Sequence, residues 1–387
     1  MPKDTTVVSG GKPGKPHPDF PLFAHQTGRW AKKVRGKLHY FGPWRDPDAA
    51  LAKWLAEKDY LLAGRKPPAN LNGPTVRDLA NRFLTFKQNA QVSGELSQRT
   101  FEDYHRVCER MLEAFGRDRR LDDVGPDDFE ALRTSLGKTL GAVALAAEIQ
   151  RCRVVCKYAY DIGLIERPVR YGQSFNRPSQ KTLRKERNSK GPRMFEADQL
   201  RAMIDAARPQ LRAMILLGVN AGFGNNDCGT LPVKALDLLG GWVNYPRPKT
   251  GVARRCPLWP ETVMALNEVM STRKDPKDAD DRHLVFITKR RMSWAKPGQD
   301  NPICKETVKL LKALGLHRPG LGFYALRHTF ATIASESRDQ IAVDHVMGHS
   351  DRSMSAVYRE RISDERLRAV TDHVNAWLFG KSTKHAK

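Results

Sequence analysis

Between positions 323 and 360 the chain reads FYALRHTFATIASESRDQIAVDHVMGHSDRSMSAVYRE. Arg327 is followed by His349, in a Gly-His-Ser triplet, and by Tyr358 nine positions later. These residue types suit one reaction. A phenol can attack a phosphodiester and hold the phosphoryl group covalently. A guanidinium fork matches two phosphate oxygens and stabilises the charge that grows on them. An imidazole adds a hydrogen bond to the phosphate or relays the phenolic proton. Tyr358 is therefore the candidate nucleophile, Arg327 the candidate phosphate clamp and His349 the second donor. The plainer alternatives are a surface tyrosine and an ordinary structural ion pair.

The order and spacing of Arg327-His328, Gly348-His349 and Tyr358 resemble the tyrosine recombinase (phage integrase) family, whose C-terminal motif runs His-x-x-Arg-His, Leu-Gly-His, Tyr. The resemblance spans about 75–379 and, more weakly, 28–64. It implies a site-specific recombinase or integrase that cuts one DNA strand through Tyr358, forms a 3′-phosphotyrosine and rejoins it to a different 5′ end. No metal, nucleotide or other cofactor is implied, because the phosphotyrosine conserves the bond energy. The family's hairpin lysine corresponds to Lys249 in Lys249-Thr250-Gly251, the expected general acid for the leaving 5′ oxygen. His328 is expected to support structure. Tyr324 stands where the family has the first His or Lys of its motif and is carried as a site residue. In Ala221-Gly222-Phe223-Gly224-Asn225-Asn226-Asp227-Cys228, Gly224 stands where the first catalytic arginine belongs and Asp227 where a glutamate does. Losing one phosphate-binding charge costs on the order of 3 kcal/mol of transition-state stabilisation. Two substitutes are expected from the sequence: an anion nest of backbone N–H groups at 222–226, or the side chain of Arg254 or Arg255.

Charge selects the partner. Lys and Arg number 66 against 43 Asp and Glu, a formal net charge of +23 over 387 residues. Such an excess is self-repulsive unless a polyanion offsets it, and double-stranded DNA is the expected one, bound with steep salt dependence. Mean hydropathy is −0.56. No apolar run approaches the roughly 18 residues of a membrane span, and no signal pattern opens the chain, so the expectation is a cytoplasmic protein without membrane contact. The six cysteines form no Cys-x-x-Cys pair, so neither a disulfide framework nor a zinc site is expected.

Elements must hold these residues in place, and the patterning predicts them. Residues 1–17 read as a disordered basic tail. Residues 18–66 read as a β-β-α unit. Trp30, Lys32 and Val34, with Leu38 and Tyr40, would be faces of two paired strands. A helix would follow, capped by Asp46, with Pro47 first and a stripe of Ala50, Leu51, Trp54, Leu55 and Leu62. By resemblance this unit is an arm-type DNA-binding domain. Residues 74–172 carry four helical patterns, beginning at the Thr75 cap, and resemble the family's core-binding bundle. Arg99, Arg106, Arg151, Arg153 and Lys157 are its candidate phosphate contacts. Residues 173–193 read as a flexible basic linker with little to bury. Residues 194–380 would be the catalytic domain: helices at 196–200, 209–219, 260–270 and 307–314, a hairpin of strands 241–245 and 252–258, and a short strand at 285–287. A last helix over 363–379 places Leu367, Val370, Val374, Trp377 and Leu378 on one face. By resemblance that stripe docks on a neighbouring copy and makes a homo-multimer on DNA; the alternative is packing on its own domain.

The predicted fold class is multidomain and mostly α with small β-sheets (α+β). Two other functions fit parts of the chain. One is a catalytically impaired DNA-binding protein on the recombinase fold, favoured by Gly224 and Tyr324. The other is a type IB topoisomerase-like enzyme acting alone.

Overall fold

The computed structural model describes residues 12–64, 67, 73–295, 301–350, 353–354 and 358–380. Much of the expected tail lies outside them, as do residues 65–66 and 68–72 between the two N-terminal units. Two compact units divide the chain, Met1–Ser179 and Gln180–Lys387. The fold is mostly helical with small antiparallel sheets.

The first unit opens with three antiparallel strands in the order β1 (Phe23–His25), β2 (Arg29–Val34), β3 (Lys37–Pro43), followed by helix α1 (Pro47–Leu62). Two strands were expected; β1 is too short to show a periodicity. The register shift opposite Trp30 and Ala31 skips Phe41: Trp30 pairs with Gly42 and Ala31 with Tyr40, so the bulge lies in β3 and changes which of its residues face the core. Trp30, Lys32 and Val34 share the expected inward face of β2; Lys32 lies across the Trp54 ring, its Nζ 4.7 Å from the centroid, and donates to Pro21 O at 3.1 Å. Leu38 and Tyr40 are exposed, and Phe41 takes the core position instead. Asp46 caps α1 by accepting from Ala49 N at 2.9 Å, with Pro47 first in the helix, as the sequence implies. The buried stripe is Ala50, Trp54 and Leu61; Leu55 and Leu62 face solvent.

Four helices follow: α2 (Val76–Val92), α3 (Gln98–Phe115), α4 (Pro126–Gly137) and α5 (Ala142–Asp161). Thr75 and Asp78 form a reciprocal capping box at the start of α2. Phe83, Met111, Phe129 and Ile149 meet in one core with Cys108, Cys152 and Cys156, which are free and buried. Of the arginines and lysine proposed to touch phosphate, Arg106 and Arg151 both pair with Asp103, Arg153 donates to Phe175 O, and Lys157 pairs with Asp161.

The second unit starts with α6 (Gln180–Ser189), where a flexible linker was expected. Its composition is highly charged, but Leu183 is buried, and one such anchor suffices to give the amphipathic turn a partner. Helices α7 (Ala197–Ala206) and α8 (Pro209–Asn220) follow, then α9 (Asn225–Gly229). Residues 213–220 of α8 are buried on every side. A small sheet runs β4 (Leu236–Asp237), β5 (Trp242–Asn244), β6 (Arg255–Pro257), all antiparallel. Residues 285–287 form no strand; an isolated bridge joins Ile287 to Ser293. Then come α10 (Pro260–Thr272), α11 (Pro302–Ala313), α12 (Ala325–Ser335), α13 (Gln340–Met347) and α14 (Asp364–Phe379). Buried Asn220 joins three of these pieces: its Oδ1 accepts from Trp259 N and Thr262 Oγ1, and its Nδ2 donates to Pro257 O. The apolar stripe of α14 is not a free face. Leu367, Val370, Val374 and Leu378 are buried in the core of their own unit, against α7, α12 and α13. Among the described residues no helix is long and apolar enough to cross a membrane.

Candidate active site

Arg327 is the third residue of α12 and is 3% exposed. Its helix face carries Leu326, Phe330 and Ala334 into the core, so the guanidinium points inward with them. Two main-chain oxygens receive it. Nη1 donates to Gly222 O at 2.6 Å and Nη2 to Met347 O at 2.7 Å. The arginine thereby ties the loop after α8 to the end of α13. Gly222 holds a φ of 61° there, with Phe330 and Met347 packed against it. Burial, then repulsion from Arg247, pushes the Arg327 pKa down to about 10; it stays charged at neutral pH.

The end of α13 fixes His349. Gly348 has a φ of 62°, its N–H bonds His345 O at 3.0 Å, and His349 N–H bonds Asp344 O at 2.9 Å. This pair of bonds is a Schellman motif, so the Gly-His dipeptide is a helix stop as well as a chemical motif. His349 Nδ1 also stands 3.0 Å from Asp344 Oδ1. With the carboxylate as acceptor, the proton sits on Nδ1 and Nε2 is the nitrogen left for other partners. Asp344 was absent from the sequence reading; its place five residues before His349, fourth from the end of α13, was the available signal. Gly348 is also crowded. A methyl there would lie 2.9 Å from Arg247 Cβ. Gly348→Ala is expected to destabilise the protein by about 1–2 kcal/mol from the left-handed backbone alone. Urea unfolding should show a lower midpoint; an unchanged midpoint would contradict the cap.

Lys249 sits at the exposed tip of the β5–β6 hairpin. The ladder continues past the strands through Tyr245 N to Arg254 O and Arg247 N to Val252 O, and the turn closes with Gly251 N on Arg247 O at 2.8 Å. Thr250 Oγ1 reaches Gly348 O at 3.4 Å, and Arg247 packs on Gly348. The hairpin tip is thus brought to Gly348, beside His349 and next in sequence to Met347, whose carbonyl holds Arg327.

Gly224 and Tyr324, the two departures from the motif, are neighbours. A Cβ on Gly224 would lie 3.4 Å from Tyr324 Cε2 and 3.3 Å from Asp227 Oδ2. Tyr324 is 46% exposed just ahead of α12, its ring edge-on to His328 at 5.5 Å. The His328 pKa is pushed down by burial, with Arg193 and Arg327 adding repulsion, so it is neutral at pH 7. In the expected anion nest at 222–226, the Gly224 N–H donates to Asp227 Oδ2 at 2.7 Å and the Phe223 N–H to Leu217 O at 3.3 Å, so these two are not open to an anion. Arg255 is corrected too. It pairs with Asp364 and stacks on Trp242 at 3.8 Å, so its charge is taken up at α14. Tyr358 is 78% exposed and makes no hydrogen bond among the described residues, while its neighbours 355–357 lie outside them. Arg327, the His349 loop and the Lys249 hairpin are thus brought together.

The family model described as the phage integrase family matches residues 193–364. Solved structures resemble the whole fold. A lambda integrase dimer bound to a COC′ core site aligns with a TM-score of 0.57 at 16% identity, over 91% of this chain and 98% of that one. A lambda integrase tetramer bound to a Holliday junction gives 0.57 at 18% identity, over 90% and 98%. The Tn1549 transposon integrase with a circular intermediate DNA gives 0.56 at 17% identity, over 77% and 99%. Comparison with curated proteins gives no significant match.

Proposed function

We propose, because residues 193–364 belong to the phage integrase family, that the chain is a site-specific DNA recombinase acting through a 3′-phosphotyrosine. The observation that carries this reading is the convergence of Arg327, the Gly348-His349 cap and the Lys249 hairpin. Tyr358 Oη attacks the scissile phosphorus. Its proton leaves through His349, whose Nδ1 is held by Asp344. The bond from phosphorus to the 5′ oxygen breaks, and Lys249 donates a proton to that oxygen. Arg327 carries the charge growing on the non-bridging oxygens. A second 5′ hydroxyl then attacks the phosphotyrosine and regenerates the phenol. The N-terminal sheet unit, 18–66, and the bundle, 74–172, take the arm-binding and core-binding roles, and 194–380 the chemistry. The chain acts on double-stranded DNA in the cytoplasm, in multimers like the DNA-bound dimer and tetramer formed by lambda integrase. Use of α14 as the link between copies requires its buried stripe to leave its own core.

The test begins with DNA captured by the full chain from genomic fragments. Nicked duplexes built from the recovered sequence trap the cut strand on the protein. The expected product is a denaturant-stable protein–DNA adduct at the 3′ phosphate. Gly224 favours a second reading, a DNA-binding protein without cleavage; tight, sequence-selective binding with no adduct would establish it. Lys249→Ala should slow adduct formation on ordinary DNA by about a hundredfold or more, the general-acid contribution. A 5′-bridging phosphorothiolate has a leaving group that needs no proton, and should restore the rate. Equal slowing on both substrates would remove Lys249 from the acid role.

A further inference from the structure

Three guanidinium groups gather around Gly348 and the loop after α8, with one buried carboxylate, Asp227, among them. Arg327 is tied to two carbonyl oxygens, as above. Arg254 is 3% exposed, its Nε donates to Tyr245 O at 3.0 Å, and its face stacks on Phe223 at 3.9 Å. Its Nη1 and Nη2 are buried without a hydrogen bond. Nη2 lies 3.5 Å from Asp227 Oδ1, an electrostatic contact outside good bonding geometry. The other oxygen of Asp227 is occupied by Gly224 N. Asp344, the next carboxylate along the loop, is held by His349 and Gln340.

Arg247 has no such partner. It is half-buried on the hairpin, its Cβ and Cδ pack where a side chain on Gly348 would stand, and its guanidinium makes no hydrogen bond or ion pair among the described residues. It repels both neighbours: its charge is the leading electrostatic cause that lowers the Arg327 pKa and a smaller one for Arg254. One carboxylate offsets one of the three charges. Holding the other two together in a partly desolvated place is unfavourable unless an anion joins them. The guanidinium fork and the neighbouring His349 loop and Lys249 hairpin identify that anion as a phosphate.

Each arginine can be assigned. The Arg254 side chain is 0% exposed, with Phe223 across its face and Nη2 turned to Asp227, so it acts from behind. Arg255 is committed to Asp364. On the opposite wall a side chain at 224 would have to enter between Asp227 and the Tyr324 ring. Arg247 is half-buried, without a partner among the described residues, and two positions from Lys249.

We propose that Arg247 is a catalytic residue of this chain, supplying from the hairpin the second guanidinium on the scissile phosphate, opposite Arg327, that Gly224 does not supply. Asp227 and Arg254 form the buried support behind it. The proposal rests on the recombinase reading, so its test has one arm that does not depend on strand cleavage.

In the first arm, inorganic phosphate is titrated into the full chain carrying 15N-labelled arginine. The Arg247 Nε signal, identified by its loss in Arg247→Lys, is expected to shift saturably. No shift overturns the proposal, whatever the protein does to DNA. A saturable shift without any adduct from wild type would leave the anion site standing and reject the recombinase reading. In the second arm, adduct formation is compared on a scissile phosphate and a scissile methylphosphonate, which lacks the charge. Arg247→Ala is expected to be slower by about a hundredfold on phosphate, to equal wild type on methylphosphonate, and to be partly rescued as Arg247→Lys. An Arg247→Ala variant as fast as wild type on phosphate, or equally impaired on both substrates, overturns the proposal.

Discussion

Tyr358→Phe is expected to abolish the covalent protein–DNA adduct while leaving DNA binding and stability intact. The phenolic oxygen is the atom that bonds to phosphorus in the proposed reaction, and phenylalanine has nothing to replace it. Loss of a covalent nucleophile costs on the order of a millionfold in turnover. The fold should not notice the change. Tyr358 is 78% exposed with no hydrogen bond among the described residues, and such surface substitutions move stability by less than about 0.5 kcal/mol. Tyr324→Phe is the matched control, since Tyr324 is the other exposed tyrosine of the segment. It should still form adduct. An adduct that survives Tyr358→Phe and disappears in Tyr324→Phe would transfer the nucleophile to Tyr324.

Arg327→Ala should combine two losses that the first variant separates. The chemical one is the phosphate clamp, worth about a hundredfold or more in adduct formation. The structural one follows from where its donors go. Gly222 O and Met347 O would both lose their partner in a buried place, at about 1–3 kcal/mol for each unsatisfied group. The midpoint of urea unfolding should fall with its slope unchanged. Arg327→Lys keeps the charge, but an ammonium on a single stem does not reproduce a planar fork that spans two carbonyls. It should recover part of the rate and less of the stability. An Arg327→Ala protein with the wild-type midpoint would show that the two carbonyl bonds contribute nothing to the fold.

Local signals in the sequence were sufficient wherever the chemistry is local. The Asp46 and Thr75 caps involve residues within a few positions, and both are present; the Asp78 half of the Thr75 box and the helix stop at Gly348-His349 were equally local but were not read. The helical patterns of the bundle and of α8 and α10 gave elements of the right kind because apolar periodicity over ten or more residues has one stable burial solution. Short and irregular pieces escaped. Strand β1 has three residues, the bulge at Phe41 of β3 puts that residue in the core in place of Leu38 and Tyr40, and residues 285–287 are apolar without being a strand. Highly charged α6 was read as linker because one buried leucine carries its packing.

For the site, the order of Lys249, Arg327, His349 and Tyr358 determined which residues to consider and which reaction they suit. What holds the phosphate opposite Arg327 was not legible, because charge compensation is a property of distance. Sequence offered a backbone nest, Arg254 and Arg255 as substitutes on equal terms. Only the tertiary structure could show that Asp227 takes the Gly224 N–H, that Asp364 takes Arg255, that Arg254 is sealed behind Phe223, and that Arg247 is half-buried beside Gly348 with no partner among the described residues. A guanidinium's role depends on which anion lies within a few ångströms, and residues some 20 to 100 positions apart set that distance.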